Sequence, residues 1–165
     1  MKYVEAPGDL KNLEHPLVFL AGGITNCEDW QAKVRKELTG PGTPNGTLLN
    51  PRRLSFPMNN PDAAEEQILW EQQALWMSDV ISIWFAGGPS VQPIVMFEFG
   101  CHMGRYCIGG GPTKLIVSVD PGYKRKQDVY LQTKAHNFSL NGSWKVVLSD
   151  SLKQHTDNIR KAVTK

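Results

Sequence analysis

A three-layer α/β domain built on a five-stranded parallel sheet is the fold class this sequence predicts. Three observations point to it. Short apolar runs alternate with helical stretches five times along the chain. Runs such as residues 17–21 and 80–85 are too continuously apolar for a sheet with one wet face, and suit strands covered on both sides. Most of these runs end in glycine- or proline-bearing turns. Such an alternation implies right-handed crossovers and ligand binding beyond the carboxyl ends of the strands.

Residues 1–16 are mixed and interrupted by proline, which predicts a loop or a short edge strand. Residues 17–21 form a buried strand running into the turn Gly22-Gly23-Ile24. Thr25 or Asn26 caps the next helix, with Asp29 in its first turn and Trp30, Val34 and Leu38 as its apolar stripe. Residues 47–50 make the second strand, with Pro51, Arg52 and Arg53 at its carboxyl end. Residues 54–61 form an extended loop of the kind that covers a substrate. Asp62 and Glu65 read as a capping box for the helix that follows. Residues 79–85 are the third strand, and Pro93 opens a helix reaching about Tyr106, with a stop near residues 109–112. Residues 114–119 are the fourth strand, 127–135 a weakly amphipathic helix, 143–149 the fifth strand with Trp144, and 151–163 a terminal helix.

The 165 residues predict one domain with a real core. A net charge of +2 without a basic, aromatic-laced stripe gives no nucleic-acid grip, and no run is long enough to span a membrane. Cys27, Cys101 and Cys107 lack metal-ligand spacing and read as reduced thiols. The start of the sequence lacks a secretory apolar run. These features predict a soluble, cytoplasmic protein.

Two carboxylates stand where the helical pattern calls for apolar residues. Gln67, Ile68, Glu71, Leu75 and Trp76 fall on or near one face of the second helix, and Ile94, Phe97, Glu98 and Cys101 on one face of the third. An inward charge is costly unless it is paired or lines a cavity. Two of them bracketing one apolar strand predict a pocket with a nucleophile and an acid. The alternative for Glu98 is a structural carboxylate satisfied by backbone or by an arginine such as Arg105. Gly22, Gly23 and Ile24 are candidates for backbone contact with a phosphate or sugar hydroxyl, with a plain tight turn as the equal alternative. Arg52 and Arg53 are candidates for holding a phosphate or carboxylate, with exposed surface arginines as the alternative. Asp79 reads as a turn residue and His102 as structural. The tryptophans Trp30, Trp70, Trp76 and Trp84 read mostly as core.

The segments Phe19-Leu20-Ala21-Gly22-Gly23-Ile24-Thr25, Asn50-Pro51-Arg52-Arg53, Gln67-Ile68-Leu69-Trp70-Glu71 and Pro93-Ile94-Val95-Met96-Phe97-Glu98-Phe99-Gly100 occur in this order. Together they make the chain resemble the nucleoside 2-deoxyribosyltransferase-like family over about residues 17–120. The resemblance implies a flavodoxin-like or Rossmann-like fold and cleavage of an N-glycosidic bond. It implies Glu98 as the nucleophile and Glu71 as the acid–base residue at the nucleobase, with no cofactor and no metal. It also implies a nucleoside or nucleotide substrate, a free nucleobase as partner, and a homo-oligomer in which a neighbouring subunit completes the site. Asn50, Arg52, Arg53, Ser90 and Gln92 join Gly22, Gly23 and Ile24 as substrate-binding candidates. Two positions depart from the better-known transferases. Phe19 stands where they carry a tyrosine, and Gln92 where they carry a carboxylate for the sugar hydroxyls. Transfer to a second base, hydrolysis of a nucleoside or its 5′-monophosphate, and nucleotide binding without chemistry are the three functions this pattern allows.

Overall fold

The computed structural model describes residues 1–109, 111–139 and 145–164. In chain order its elements are β1 (Lys2–Glu5), β2 (Leu17–Gly22), α1 (Trp30–Leu38), β3 (Thr47–Asn50), α2 (Ala63–Met77), β4 (Val80–Phe85), α3 (Pro93–Cys107), β5 (Lys114–Val119), α4 (Lys126–Ser139), β6 (Val147–Ser149) and α5 (Leu152–Val163). The sheet has six strands in the order β1-β3-β2-β4-β5-β6. Every pairing is parallel. The count of five is therefore corrected by β1, which is the edge-strand alternative for the first residues. Only four residues long, it pairs Lys2–Glu5 with Thr47–Asn50, too little periodicity to separate it from a loop in sequence. Ser143 and Trp144, expected at the start of the last strand, lie outside the described residues, as does Gly110 in the turn after α3.

The continuous apolar strands have the predicted cause. Phe19, Ala21, Ile81, Ile83, Phe85, Val117 and Val119 face one side and pack with Trp70, Leu75, Val95 and Phe99 of α2 and α3 and Val129 of α4. Val18, Leu20, Val80, Trp84 and Ile116 face the other and pack with Trp30, Val34 and Leu38 of α1 and Ile159 and Val163 of α5. Alternate residues of one strand thus serve opposite cores, as a period of two requires. The result is the three-layer, flavodoxin-like arrangement. After β2 the chain steps outward to β3, then crosses back to β4 on the other side of β2. That reversal opens a crevice above β2 and β4, where ligands bind in folds of this class.

Several local expectations change. Asp29, not Thr25 or Asn26, is the N-cap of α1, its side chain accepting from the Ala32 N–H at 3.0 Å. Asn26 instead adopts a positive φ of 54° in the loop before it. Asp62 precedes α2 but makes no capping hydrogen bond, so the capping box does not form. The buried faces are also rotated from those expected. In α2 they are Ala63, Trp70, Ala74 and Leu75, and in α3 Val95, Glu98, Phe99, His102 and Tyr106. Trp76 lies largely exposed with the Arg105 guanidinium over its ring at 3.7 Å, so it is not core. Asp79 is more than a turn residue: its Oδ2 accepts from Leu17 N–H at 2.7 Å and faces His15 Nδ1 at 2.6 Å, joining the start of β2 to that of β4. His155 is fully buried between Trp30 and Trp84, its Nδ1 2.8 Å from Ser118 Oγ. Burial pushes its pKa down to about 3, keeping it neutral.

Trp30 links core to crevice. Its ring is buried in the α1 layer, and its Nε1–H donates to the Gly23 carbonyl at 3.0 Å. Trp30→Phe keeps most of the packing but leaves that carbonyl without its donor. Urea unfolding is expected to show a loss of about 2 kcal/mol with an unchanged m value.

Candidate active site

A cavity of about 400 Å³ opens in that crevice, within the ~300–1,000 Å³ usual for small-molecule sites. Its walls come from the end of β2 (Phe19, Ala21, Gly22), the following turn (Gly23, Ile24, Thr25), Pro51, Glu71 of α2, the loop residues Ser90 and Gln92, and the first turns of α3 (Pro93, Ile94, Val95, Glu98). Of the sequence candidates, Gly22, Gly23, Ile24, Ser90, Gln92, Glu71 and Glu98 are brought together here. Asn50, Arg52 and Arg53 are not in the lining.

The glycine turn is required by space. A Cβ on Gly22 would lie 2.4 Å from the Trp84 carbonyl oxygen and 2.7 Å from the Trp30 ring. One on Gly23 would meet the Gln92 amide and the Cys27 sulfur. Backbone therefore forms this wall, and it is held in place: the Gly23 N–H donates to the Trp84 carbonyl at 3.3 Å and its carbonyl accepts from Trp30 Nε1.

Gln92 shapes the opposite wall. It precedes α3 in the left-handed region, with φ 49° and ψ 59°, which is uncommon for a residue with a side chain. Its amide is tied at both ends to one residue: Nε2 donates to the Ala86 carbonyl at 2.6 Å, and Oε1 accepts from the Ala86 N–H at 3.2 Å. The loop between is further held by Tyr123, whose hydroxyl donates to the Val91 carbonyl at 2.8 Å. Ser90 Oγ accepts from the Gln92 N–H at 3.2 Å. The first turn of α3 is thus placed by a clamped loop.

Glu98 is only 8 % exposed. Burial, and secondarily the negative charge of Glu71, push its carboxyl from the ordinary 4.5 up to about 8. Its position near the helix N-terminus does not offset this. Glu71 is half-buried, and burial raises its pKa too, but a hydrogen bond from Gln67 and the charge of Arg53 oppose the rise. Two carboxyl groups that feel each other in one cavity titrate as a pair. Arg105 does not pair with Glu98; its Nη1 lies 3.0 Å from His102 Nδ1. His102 is buried behind Glu98, with its pKa lowered to about 4 by burial and by Arg105.

The basic and amide residues at the end of β3 are engaged within the protein. Asn50 Nδ2 donates to the Tyr3 hydroxyl at 2.8 Å, and its Oδ1 accepts from the Arg52 N–H at 3.0 Å. Arg52 donates to the carbonyls of Glu28 at 3.0 Å and Cys27 at 3.3 Å, stitching the loop before α1 to the end of β3. Arg53, its side chain 7 % exposed, donates to Gln67 Oε1 at 2.5 Å and Glu66 Oε2 at 2.9 Å. Gln67 is the site residue whose role sequence reasoning missed. The signal available was its spacing, four residues before a carboxylate on one helix. Thr25, Pro51 and Val95 also line the cavity without having been singled out as candidates. Among the described residues, no three His, Cys, Asp or Glu side chains gather as a metal-ligand set, and no helix is long and apolar enough to cross a membrane.

Residues 15–110, more than half of the chain, match the profile of a family described as nucleoside 2-deoxyribosyltransferase like. No curated protein matches the chain. The matched segment contains every residue of the cavity wall.

The raised pKa of Glu98 has a stability consequence. Between pH 4.5 and about 8 the folded protein keeps a proton that the unfolded chain releases, so this group's contribution falls as pH rises. Glu98→Gln abolishes that loss. Its melting temperature by calorimetry should be close to wild type near pH ~5 and higher by about 3 °C or more near pH ~8.

Proposed function

Because the chain belongs to the nucleoside 2-deoxyribosyltransferase-like family, we propose that it cleaves the N-glycosidic bond of a deoxynucleoside through an ester on Glu98 and passes the deoxyribosyl group to a second nucleobase. The observation that carries this reading is the meeting of Glu98 and Glu71 in one cavity beyond the ends of β2 and β4. In the free site Glu98 is the carboxyl held protonated near neutrality. Moving that proton to Glu71 produces an anionic nucleophile and a general acid without changing the charge of the pair. The singly protonated pair is the competent form.

Glu98 then attacks the anomeric carbon. The carbon–nitrogen bond breaks, a carbon–oxygen bond to Glu98 forms, and Glu71 gives its proton to the departing base nitrogen. The buried carboxylate also stabilises the oxocarbenium-like transition state directly. In the second half an incoming base attacks the same carbon. Glu71 takes the proton the base loses, and Glu98 leaves as carboxylate. Two inversions give net retention. Phe19, Ile94 and Val95 supply apolar surface suited to a flat base and to excluding water.

A second reading is hydrolysis of a nucleoside 5′-monophosphate. Gln92 favours it: a neutral amide, already engaged with Ala86, replaces the carboxylate that would repel a phosphate. The main chain after Gly23, at Ile24, and the start of α3 would receive the anion, since the Gly23 N–H already donates to the Trp84 carbonyl. Arg52 and Arg53 add no support, since both are committed to protein partners.

The same reading extends to a homo-oligomer. Ile68, Leu69 and Trp76 of α2 and Ile94 and Phe97 of α3 are each more than half exposed. Apolar faces of this kind mark association surfaces. Ile94 also lines the cavity, so the same face borders the site.

Incubating the protein with a deoxynucleoside and a different free base should yield the exchanged nucleoside. Free sugar and base alone would support hydrolysis instead, and a strict need for a 5′-phosphate would identify the second reading. Glu98→Ala should abolish either activity while leaving circular dichroism unchanged. Glu71→Gln should slow it ~100-fold; near-normal turnover in either variant overturns the assigned role. For assembly, Phe97→Glu should lower the mass measured by light scattering, and an unchanged mass removes this face as the contact.

A further inference from the structure

The motifs around Arg53 and Gln67 are joined in space by a chain of hydrogen bonds that ends on Glu71. Arg53 Nε donates to Gln67 Oε1 at 2.5 Å while its Nη2 donates to Glu66 Oε2 at 2.9 Å. Gln67 Nε2 donates to the Pro51 carbonyl at 2.7 Å and to Glu71 Oε1 at 2.6 Å. These partners determine which way the amide points. A guanidinium N–H can only donate, and a main-chain carbonyl can only accept. A flipped amide would lose Arg53 and Pro51 together. Both amide hydrogens are then in use, and Glu71 Oε1 must act as an acceptor whether or not Glu71 is protonated. A proton on Glu71 is therefore better placed on Oε2, because the carbonyl-type oxygen is the stronger acceptor for Gln67, and Oε2 has no hydrogen-bond partner among the described residues.

We propose that Arg53 and Gln67 are positioning residues that hold Glu71 Oε1 and reserve Oε2 for proton exchange with the leaving and incoming bases. The proposal rests on the reading of Glu71 as the acid–base residue. Neither positioning residue lines the cavity. Arg53 acts through Gln67, with its guanidinium buried and its donors divided between two neighbouring residues of α2. Only a planar fork can serve both, so lysine is a poor substitute. The Arg53 charge and the Gln67 bond also pull against the rise that burial gives Glu71, which leaves Glu98 as the resting proton's holder.

The test compares wild type with Gln67→Met, Arg53→Lys and the double variant Gln67→Met/Glu71→Gln. Carboxyl-carbon NMR titration of the folded, glutamate-labelled protein reads Glu71 without any turnover. Its midpoint should move upward by about one pH unit in Gln67→Met. With a deoxynucleoside, Gln67→Met should lower kcat about tenfold with little change in KM. With a nitrophenyl deoxyriboside, whose leaving group needs no proton, its rate should stay near wild type. The double variant should be no slower than Glu71→Gln alone. Arg53→Lys should also lower kcat with little change in KM. An unmoved Glu71 titration, or additive losses in the double variant, overturns the relay. Wild-type protein that neither cleaves nor transfers would instead sink the reading of the site, and the NMR titration would then decide the Gln67–Glu71 link by itself. If Arg53→Lys does not fold, the Gln67 variants decide the outcome.

Discussion

Two carboxyl groups buried in one small cavity cannot both ionise at neutral pH without a large desolvation and repulsion cost. The rest of the site is arranged around that constraint. Glu98 takes the greater burden, with its pKa raised to about 8, and Glu71 the lesser. The asymmetry has a structural source. Glu71 receives a hydrogen bond and the field of a nearby guanidinium, whereas apolar residues dominate around Glu98 on α3. On the proposed function, one shared proton serves both the nucleophile and the leaving group. A site of this kind gives up folding stability for reactivity, as catalytic sites often do.

Holding such a pair requires rigid supports, and the crevice has them. Trp30 reaches from its own core to the Gly23 carbonyl. Gln92 closes the loop after β4 by bonding Ala86 at both ends, and Tyr123 pins the same loop from β5's side. Arg52 stitches the loop before α1 to the end of β3. Each of these side chains satisfies a main-chain group of a loop at the carboxyl ends of the strands. The carboxylates are thereby presented from α2 and α3, whose buried faces are anchored by Trp70, Leu75, Val95 and Phe99. Loops that are bonded to one another rather than to solvent keep reacting groups within the tolerance catalysis needs.

The two arginines after β3 are engaged by the protein itself rather than by the cavity. Adjacent in sequence, they diverge: Arg52 turns to the α1 side and Arg53 to α2. Both carry out work that an exposed phosphate-binding arginine could not, because their donors are spent on carbonyls, an amide and a carboxylate.

Sequence alone determined the layered architecture, since Phe19, Ile81 and Val117 alternate with Val18, Val80 and Ile116 in strands apolar on both faces. It also singled out Glu71 and Glu98, because a carboxylate among core-facing helical positions is conspicuous at any resolution of the fold. What it could not determine was partnership. The edge strand β1 exists through its pairing with β3, the exposed Trp76 through its stacking under Arg105 of α3, and the contact of Arg53 with Gln67 through a meeting of segments from two separate elements. Hydrophobic periodicity records how a residue faces its own core, which is a local property of the chain. Hydrogen bonds between loops depend on angles and distances set only when the layers have packed, and so only the tertiary structure decided which donor holds the acid.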